Sequence, residues 1–215
     1  MPVSSRGWLG AIVSISLLLL IALLIAACSV TTSRQAGINS AELGGRHSPD
    51  FELLDQDGKI VRLSDLRGRV VALTFLYTSC PDVCPIVAQL FAQTRDRLGE
   101  ANKKVVFTAI SVDPERDTVE QVSKYLRAQG LEGKLLFLTG DRPSLEAAWA
   151  AYHIGVVKEP AATTTTGAPG FYYVGHHNRV YLIDAEGRQR TLLKDFEFTP
   201  AQLVQALEPM LREIR

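Results

Sequence analysis

Two cysteines separated by three residues are the feature of the sequence with the clearest chemistry. Cys80 and Cys84 lie in residues 78–85 (TSCPDVCP), after a β-branched and aromatic run and before a segment with helical apolar spacing. This order predicts a strand that turns directly into the start of a helix. The amino end of a helix favours negative charge and lowers thiol pKa values, so both sulfurs are placed where thiolates are stabilised.

Three kinds of site fit two such cysteines. A structural disulfide would close a very small loop and would constrain the unfolded chain little. A thiol–disulfide oxidoreductase usually carries two residues between its cysteines, whereas this sequence has three. A metal ion about 2.3 Å from each sulfur allows the sulfurs to lie well beyond the roughly 2.05 Å of a disulfide. The spacing therefore favours a metal site that selects Cu(I) or Zn(II), and reversible oxidation of the thiols stays open beside it.

A histidine is the expected third ligand, and the chain contains four. His47 falls in a predicted linker and His153 at the end of a predicted helix, where neither needs a function. His176 and His177 precede a predicted strand, at the place where thioredoxin-like oxidoreductases carry a cis-proline against their cysteines. No proline occurs in residues 174–179, so a histidine can face the cysteines there. Adjacent side chains of an extended chain point to opposite faces, so at most one of the two is expected to bind, and spacing does not say which.

The elements that must position these residues alternate between strands and helices. Residues 51–54 and 60–63 flank an Asp-Gly turn, which predicts a β-hairpin. Strands are then predicted at residues 70–77, 105–112, 135–138 and within 172–184, and helices at residues 85–99, 118–129, 144–152 and from 199 onwards. This order predicts an α/β domain with a mixed sheet, in a thioredoxin-like fold that carries an N-terminal β-hairpin extension.

The start of the chain is expected to direct it to a membrane. Residues 1–27 are predicted as a signal peptide or membrane anchor, because residues 8–27 are almost wholly apolar and about 20 such residues can span a bilayer. The run ends in Ile-Ala-Ala-Cys, which resembles a bacterial lipoprotein signal in which Cys28 is lipidated, and an uncleaved transmembrane anchor is the alternative. Both interpretations place the remainder on the extracytoplasmic face of a bacterial membrane. Residues 28–48 are predicted as a flexible tether and residues 49–215 as the folded domain.

The composition of the 215-residue chain agrees with a folded domain and argues against one class of partner. Hydrophobic residues make up 47% of the sequence, which is enough to build a core. The 23 basic and 23 acidic residues give a formal net charge of zero. A balanced charge offers no electrostatic reason to bind nucleic acid, so no nucleic acid is expected as a partner.

Three segments together carry a family resemblance. They are residues 78–85, residues 111–118 (SVDPERDT), and a histidine shortly before residues 181–184 (YLID). With these segments the chain resembles the Sco/SenC family of copper chaperones for cytochrome c oxidase assembly, from about residue 51 to the end. The resemblance implies a thioredoxin-like fold that binds one Cu(I) or Cu(II) ion through Cys80, Cys84 and His176.

The same resemblance implies the partners and the reaction. Copper would be delivered to the binuclear copper site of cytochrome c oxidase subunit II, or the thiols of that site would be reduced, with a thiol reductant or copper donor protein as a further partner. A metallochaperone is favoured over an enzyme. The alternative is a membrane-tethered thiol–disulfide oxidoreductase that acts without bound metal. A zinc-binding structural lipoprotein is a third hypothesis, against which the missing fourth ligand argues.

The chain departs from the family pattern beside the histidine. The family usually has an acidic residue directly before the ligand, whereas this sequence has Gly175, and His177 follows as a rival ligand. Residues 160–170 contain four threonines and are predicted as a flexible insertion that acts as a lid.

Residues 111–118 have a structural and a functional interpretation. Asp113 and Pro114 end a predicted strand and Thr118 can cap the next helix, so a structural role is favoured. The functional alternative is that Asp113 or Arg116 lies near the mouth of the site and tunes its charge or its docking.

Overall fold

The apolar run at residues 70–77 forms the central strand of the molecule. The computed structural model describes residues 38–160 and 172–214, and within it every side chain of Val70–Leu76 is buried. A strand covered on both faces is what a continuous hydrophobic run predicts in an α/β domain. This strand leads directly into the segment that carries the two cysteines.

The helices and strands follow the predicted alternation. In chain order they are β1 (Ser40–His47), β2 (Glu52–Leu54), β3 (Ile60–Arg62), β4 (Val70–Leu76), α1 (Val83–Arg97), β5 (Val105–Ser111), α2 (Val119–Gln129), β6 (Leu136–Leu138), α3 (Arg142–Ala151), β7 (Val156–Pro160), β8 (Tyr172–His176), β9 (Arg179–Ile183), β10 (Arg188–Lys194) and α4 (Pro200–Glu213). Short 3₁₀ turns lie at Leu63–Leu66 and Gly99–Lys104. The predicted α/β class with a thioredoxin-like order and an N-terminal hairpin is confirmed.

Six strands form one mixed sheet in the order β1-β10-β9-β4-β5-β6. β4, β5 and β6 run parallel to one another. On the other side of β4, each neighbouring pair is antiparallel: β4 with β9, β9 with β10, and β10 with β1. Parallel strands place their carboxyl ends at one edge of a sheet, which is where functional groups gather in such folds. Residues 78–85 follow β4 and residues 111–118 follow β5, so the topology brings the two motifs together.

Two helix starts have the caps that the sequence predicts. The hydroxyl of Thr118 accepts a hydrogen bond from the Gln121 amide at 3.2 Å, and the hydroxyl of Thr199 accepts one from the Gln202 amide at 3.3 Å. At the other end of α2, Gly130 adopts φ 66°, the left-handed conformation that ends many helices. The structural role predicted for Thr118 is therefore present.

One strand occupies part of the predicted tether. Ser40–His47 forms β1 and pairs with β10 at the edge of the six-stranded sheet, so the tether that composition predicts over residues 28–48 does not reach residue 48. Small residues make up half of this strand, and Gly44 and Gly45 both have positive φ where the pairing register shifts. This bulged edge strand has the composition of a linker, and its pairing with a distant strand leaves no local signal in the sequence. Both features explain why a tether was predicted here.

A second hairpin was not predicted in full. β7 and β8 pair with each other in a sheet of their own, and β7 had no strand prediction.

The predicted lid at residues 160–170 lies outside the described residues except for Pro160, the last residue of β7. The predicted membrane segment and Cys28 also lie outside them. Between residues 38 and 214, leaving aside 161–171, no helix is long and apolar enough to cross a membrane.

Candidate metal centre

The two cysteines sit in the turn from β4 into α1. Cys80 is half-buried, Cys84 is buried in the first turn of α1, and neither forms a disulfide. The Cys80 amide donates to the Tyr77 carbonyl at 3.3 Å, and the Cys84 amide donates to Cys80 Sγ at 3.4 Å. The sulfur of Cys80 therefore accepts from one of the amides that the start of a helix leaves without a backbone partner.

The two sulfurs differ in charge. The hydrogen bond from the Cys84 thiol lowers the pKa of Cys80 to about 5; bonds from the Asp82 and Cys84 amides and the Tyr77 hydroxyl act in the same direction, and burial opposes them. The hydrogen bond to Cys80 and burial raise the pKa of Cys84 above its ordinary value. At neutral pH the reduced pair therefore holds one proton, with Cys80 as the thiolate and Cys84 as the thiol.

His176 lines the same cavity as both cysteines. It ends strand β8, and the cavity of about 410 Å³ is bounded by Cys80, Cys84, Tyr77 and His176 among others. Burial lowers the pKa of His176, so its ring is neutral at neutral pH. Nδ1 lies 3.2 Å from the His177 carbonyl oxygen, which can only accept, so Nδ1 carries the proton and Nε2 is left with a free lone pair.

His177 is engaged elsewhere. Its Nδ1 accepts a hydrogen bond from the Gly155 amide at 2.9 Å, and its side chain is exposed and does not line the cysteine cavity. In the neutral ring the proton is then on Nε2, so neither nitrogen offers a free lone pair. A Cβ at position 155 would lie 3.1 Å from the His177 ring, so a larger residue there would push this ring aside.

The three candidate ligands lie around one cavity without forming a closed coordination sphere. Within residues 38–160 and 172–214, no group of three or more His, Cys, Asp and Glu side chains could hold a metal ion in the arrangement described. Cys80, Cys84 and His176 nevertheless line the same cavity. Binding a metal ion there requires the histidine and the sulfurs to approach one another.

Residues 111–118 hold the cysteine turn in place through the hydrogen bonds of Asp117. The Asp117 carboxylate is buried and accepts hydrogen bonds from the Thr78 amide at 3.1 Å, the Thr78 hydroxyl at 2.6 Å and the Ser111 hydroxyl at 2.6 Å. Burial raises the pKa of Asp117 to about 6 even though these bonds lower it. The carboxylate ties the end of β5 to the residue at which the cysteine segment begins.

Sequence reasoning missed two groups of residues near the site. The ring of Tyr77 meets that of His176, and the hydroxyl of Tyr172 donates to Asp113 of the 111–118 motif; no spacing in the sequence singled out either residue. The carboxylate of Glu159 was also missed: one of its oxygens lies 3.1 Å from where a Cβ on Gly175 would be. Glu159 therefore brings a carboxylate to the residue before His176, although position 175 itself has no side chain.

Comparisons with known proteins agree on one family. The family model described as SCO1/SenC matches residues 39–212. The mitochondrial protein SCO1 homolog 1 of Arabidopsis thaliana is 33% identical over 74% of this chain, which spans 44% of that protein. The SCO2-like protein of Rickettsia felis is 28% identical over 79% of this chain and 78% of its own length. The structure of Bradyrhizobium japonicum ScoI with copper bound covers 76% of this chain and 99% of its own, with 30% identity and a TM-score of 0.67.

The charge difference between the cysteines predicts how they react. In a Cys28→Ser background under reducing conditions, alkylation by iodoacetamide is expected to modify Cys80 first. Its rate should be half-maximal near pH 5 and flat from about pH 6 to 8, because the thiolate is the nucleophile. Cys84→Ala removes the largest cause of the lowered pKa and should move the midpoint upward. A rate that climbs steadily through pH 8 would show that Cys80 is an ordinary thiol.

The buried carboxylate beneath the turn predicts a stability change. Asp117→Ala leaves buried donors unpaired and should lower the free energy of unfolding by about 1–3 kcal/mol in urea titrations. The exposed Asp96, which pairs with Lys134, is the matched control, and Asp96→Ala should cost about 0–1 kcal/mol. Because folding raises the Asp117 pKa from 3.8 to about 6, the native state binds the extra proton between those values. The gap between wild type and Asp117→Ala should therefore widen as the pH falls from 7 to 4; a gap that narrows contradicts this assignment.

Proposed function

This chain belongs to the SCO1/SenC family, and on that premise we propose that it is an extracytoplasmic copper chaperone that binds one copper ion through Cys80, Cys84 and His176. The observation that carries the proposal is the shared cavity, in which two sulfurs at the start of a helix face a neutral histidine. The copper-bound ScoI of Bradyrhizobium japonicum, which this chain resembles over most of its length, supports the choice of metal.

The donor atoms fit copper. Thiolate sulfur selects soft ions, of which Cu(I) is one, and imidazole nitrogen suits copper as well. Copper is a soft Lewis acid to which all three side chains could donate a lone pair. Cys80 is only half-buried where it lines this cavity, so an acceptor can reach the ion and form a shared intermediate. Three ligands hold the ion less completely than the four of a closed structural zinc site, which favours transfer over permanent storage.

The proton positions favour His176 over His177 as the nitrogen ligand. Nδ1 of His176 donates to a carbonyl, which leaves the lone pair of Nε2 available, whereas the lone pair of His177 Nδ1 is occupied by the Gly155 amide. A backbone carbonyl that holds the second nitrogen of a ligand histidine orients the ring and fixes its tautomer. His177 would have to give up a hydrogen bond before it could bind.

The expected partner and place follow from the family. Copper is delivered to the binuclear site of cytochrome c oxidase subunit II, or the thiols of that site are reduced, at the extracytoplasmic face of a membrane. Thiol–disulfide exchange is the second candidate function, and the low pKa of Cys80 favours it, because a thiolate is the attacking group. A thiol reductant or a copper donor protein is the further partner in either case.

Copper retention by single variants tests the ligand set. After anaerobic loading with Cu(I) and desalting, wild type should retain one copper per chain by metal analysis, and Cys80→Ser, Cys84→Ser and His176→Ala should each lose stoichiometric binding. His177→Ala tests the rival ligand and should retain one copper. His153→Ala is the matched control, since His153 lines a different cavity.

Each alternative predicts a different result in that series. Full retention by His176→Ala together with loss in His177→Ala would replace the nitrogen ligand. No copper in wild type, with thiol–disulfide turnover that is unchanged in His176→Ala, would support the oxidoreductase. Zinc in the purified protein without any redox response would support a structural zinc site.

The membrane attachment is a separate proposal that rests on the sequence alone. We propose that Cys28 is lipidated after cleavage of residues 1–27. Cells that express the full chain and are fed a labelled fatty acid should incorporate label into wild type and not into Cys28→Ser, while Ser29→Ala serves as the control. An unlabelled wild-type chain that still fractionates with the membrane would indicate an uncleaved anchor.

A further inference from the structure

His176 is carried by a hairpin that stands apart from the central sheet. In the part of the chain that the structure describes, β7 and β8 pair with each other and neither belongs to the six-stranded sheet. The cysteines, in contrast, follow the central strand β4. The distance between His176 and the sulfurs therefore depends on whatever joins this hairpin to the body of the domain.

Two residues contribute to that connection, one directly before the cysteine segment and one within the 111–118 motif, beside an ion pair between Lys158 of β7 and Glu115. Tyr77 lies directly after β4, and its buried hydroxyl accepts a hydrogen bond from the Val174 amide at 3.4 Å, two residues before His176. The same hydroxyl is within hydrogen-bonding reach of Cys80. The Tyr77 ring also meets the His176 ring edge-on, with 6.2 Å between centroids. One side chain thus touches both halves of the site.

Arg116 holds the other end of β8. Its Nη1 donates to the Tyr172 carbonyl at 3.1 Å, and its guanidinium lies 3.8 Å from the centroid of the Tyr172 ring and 5.7 Å from that of Tyr77. Arg116 forms an ion pair with Asp113, which is fully buried, and the Tyr172 hydroxyl donates to the same carboxylate at 2.7 Å. The guanidinium therefore pairs with a buried charge and lies over the Tyr172 ring, with the Tyr77 ring farther away.

We propose that Tyr77 and Arg116 are positioning residues that fasten the β7–β8 hairpin to the domain and so set the approach of His176 to the two cysteines. The proposal rests on the proposed copper function. It gives the motif at residues 111–118 a second role besides capping α2, because Asp113 and Arg116 act on the histidine strand. Neither residue binds the metal; Tyr77 acts through Val174, and Arg116 acts through Tyr172.

The substitution Tyr77→Phe tests the connection with a single lost hydroxyl, and Arg116→Lys tests it by removing the planar fork while keeping the charge. Tyr152→Phe is the matched control. Tyr152 is a buried tyrosine whose hydroxyl bonds to Ser48 and to the Pro49 carbonyl, away from the cysteine cavity. The Tyr152→Phe variant should therefore lose stability without any change in copper affinity or in exchange of the Val174 amide.

Two measurements on the full chain separate positioning from general stability. In metal-free protein, hydrogen exchange of the Val174 amide should become at least about tenfold faster in Tyr77→Phe and stay unchanged in Tyr152→Phe, since only the former removes its acceptor. Competition with a chromogenic Cu(I) chelator should show one copper per chain in all variants. The affinity should be about 10–100-fold weaker in Tyr77→Phe and Arg116→Lys, as for other groups that orient ligands.

The outcomes distinguish this proposal from the copper function itself. If wild type binds no copper, the copper function fails, while the Val174 exchange rates still test the attachment of the hairpin. If wild type binds copper and Tyr77→Phe binds it equally tightly with unchanged Val174 exchange, the positioning role is wrong. If Tyr152→Phe weakens copper to the same extent, the effect reflects stability alone and the positioning role is wrong as well.

Discussion

The first turn of α1 imposes the constraint on which the site depends. A helix leaves its first amides without backbone partners, and here the Cys84 amide finds the sulfur of Cys80. The hydrogen bond from the Cys84 thiol, together with that contact, lowers the pKa of Cys80, and the hydrogen bond to Cys80 together with burial raises the pKa of Cys84. The pair is thus unequal before any metal arrives. Asp117 maintains this geometry because it holds Thr78, where the turn begins, against the end of β5.

The proposed third ligand comes from a hairpin outside the central sheet. His176 lies on a two-stranded sheet that joins the domain through side chains rather than through strand pairing in the described residues. In the proposed copper site, the position of His176 relative to the sulfurs is then set by the contacts of Tyr77 and Arg116 and by the ion pair between Lys158 of β7 and Glu115.

Local patterns predicted most of the fold and the cysteine half of the site. These features depend on residues that are neighbours in the sequence: the buried strand β4, the caps at Thr118 and Thr199, and the cysteine turn. Strand β1 was missed because its partner is β10, far along the chain, and its small residues have the composition of a linker. The choice between His176 and His177 also had no local signal. It depends on the Gly155 amide, and the role of Tyr77 depends on Val174, 97 residues away.

The shared proton explains why one pair of cysteines fits both copper transfer and thiol exchange. In the reduced pair, the hydrogen bond from the Cys84 thiol to the Cys80 thiolate occupies the space between the sulfurs. Copper that binds both sulfurs must displace that proton, whereas oxidation removes it together with two electrons. A neutral His176 can bind a metal ion without first releasing a proton, so it favours metal binding over the protonated cysteine pair. It contributes nothing to a disulfide. Under the copper proposal, His176 is therefore the residue that separates the two chemistries, because it can bind the metal and cannot take part in a disulfide.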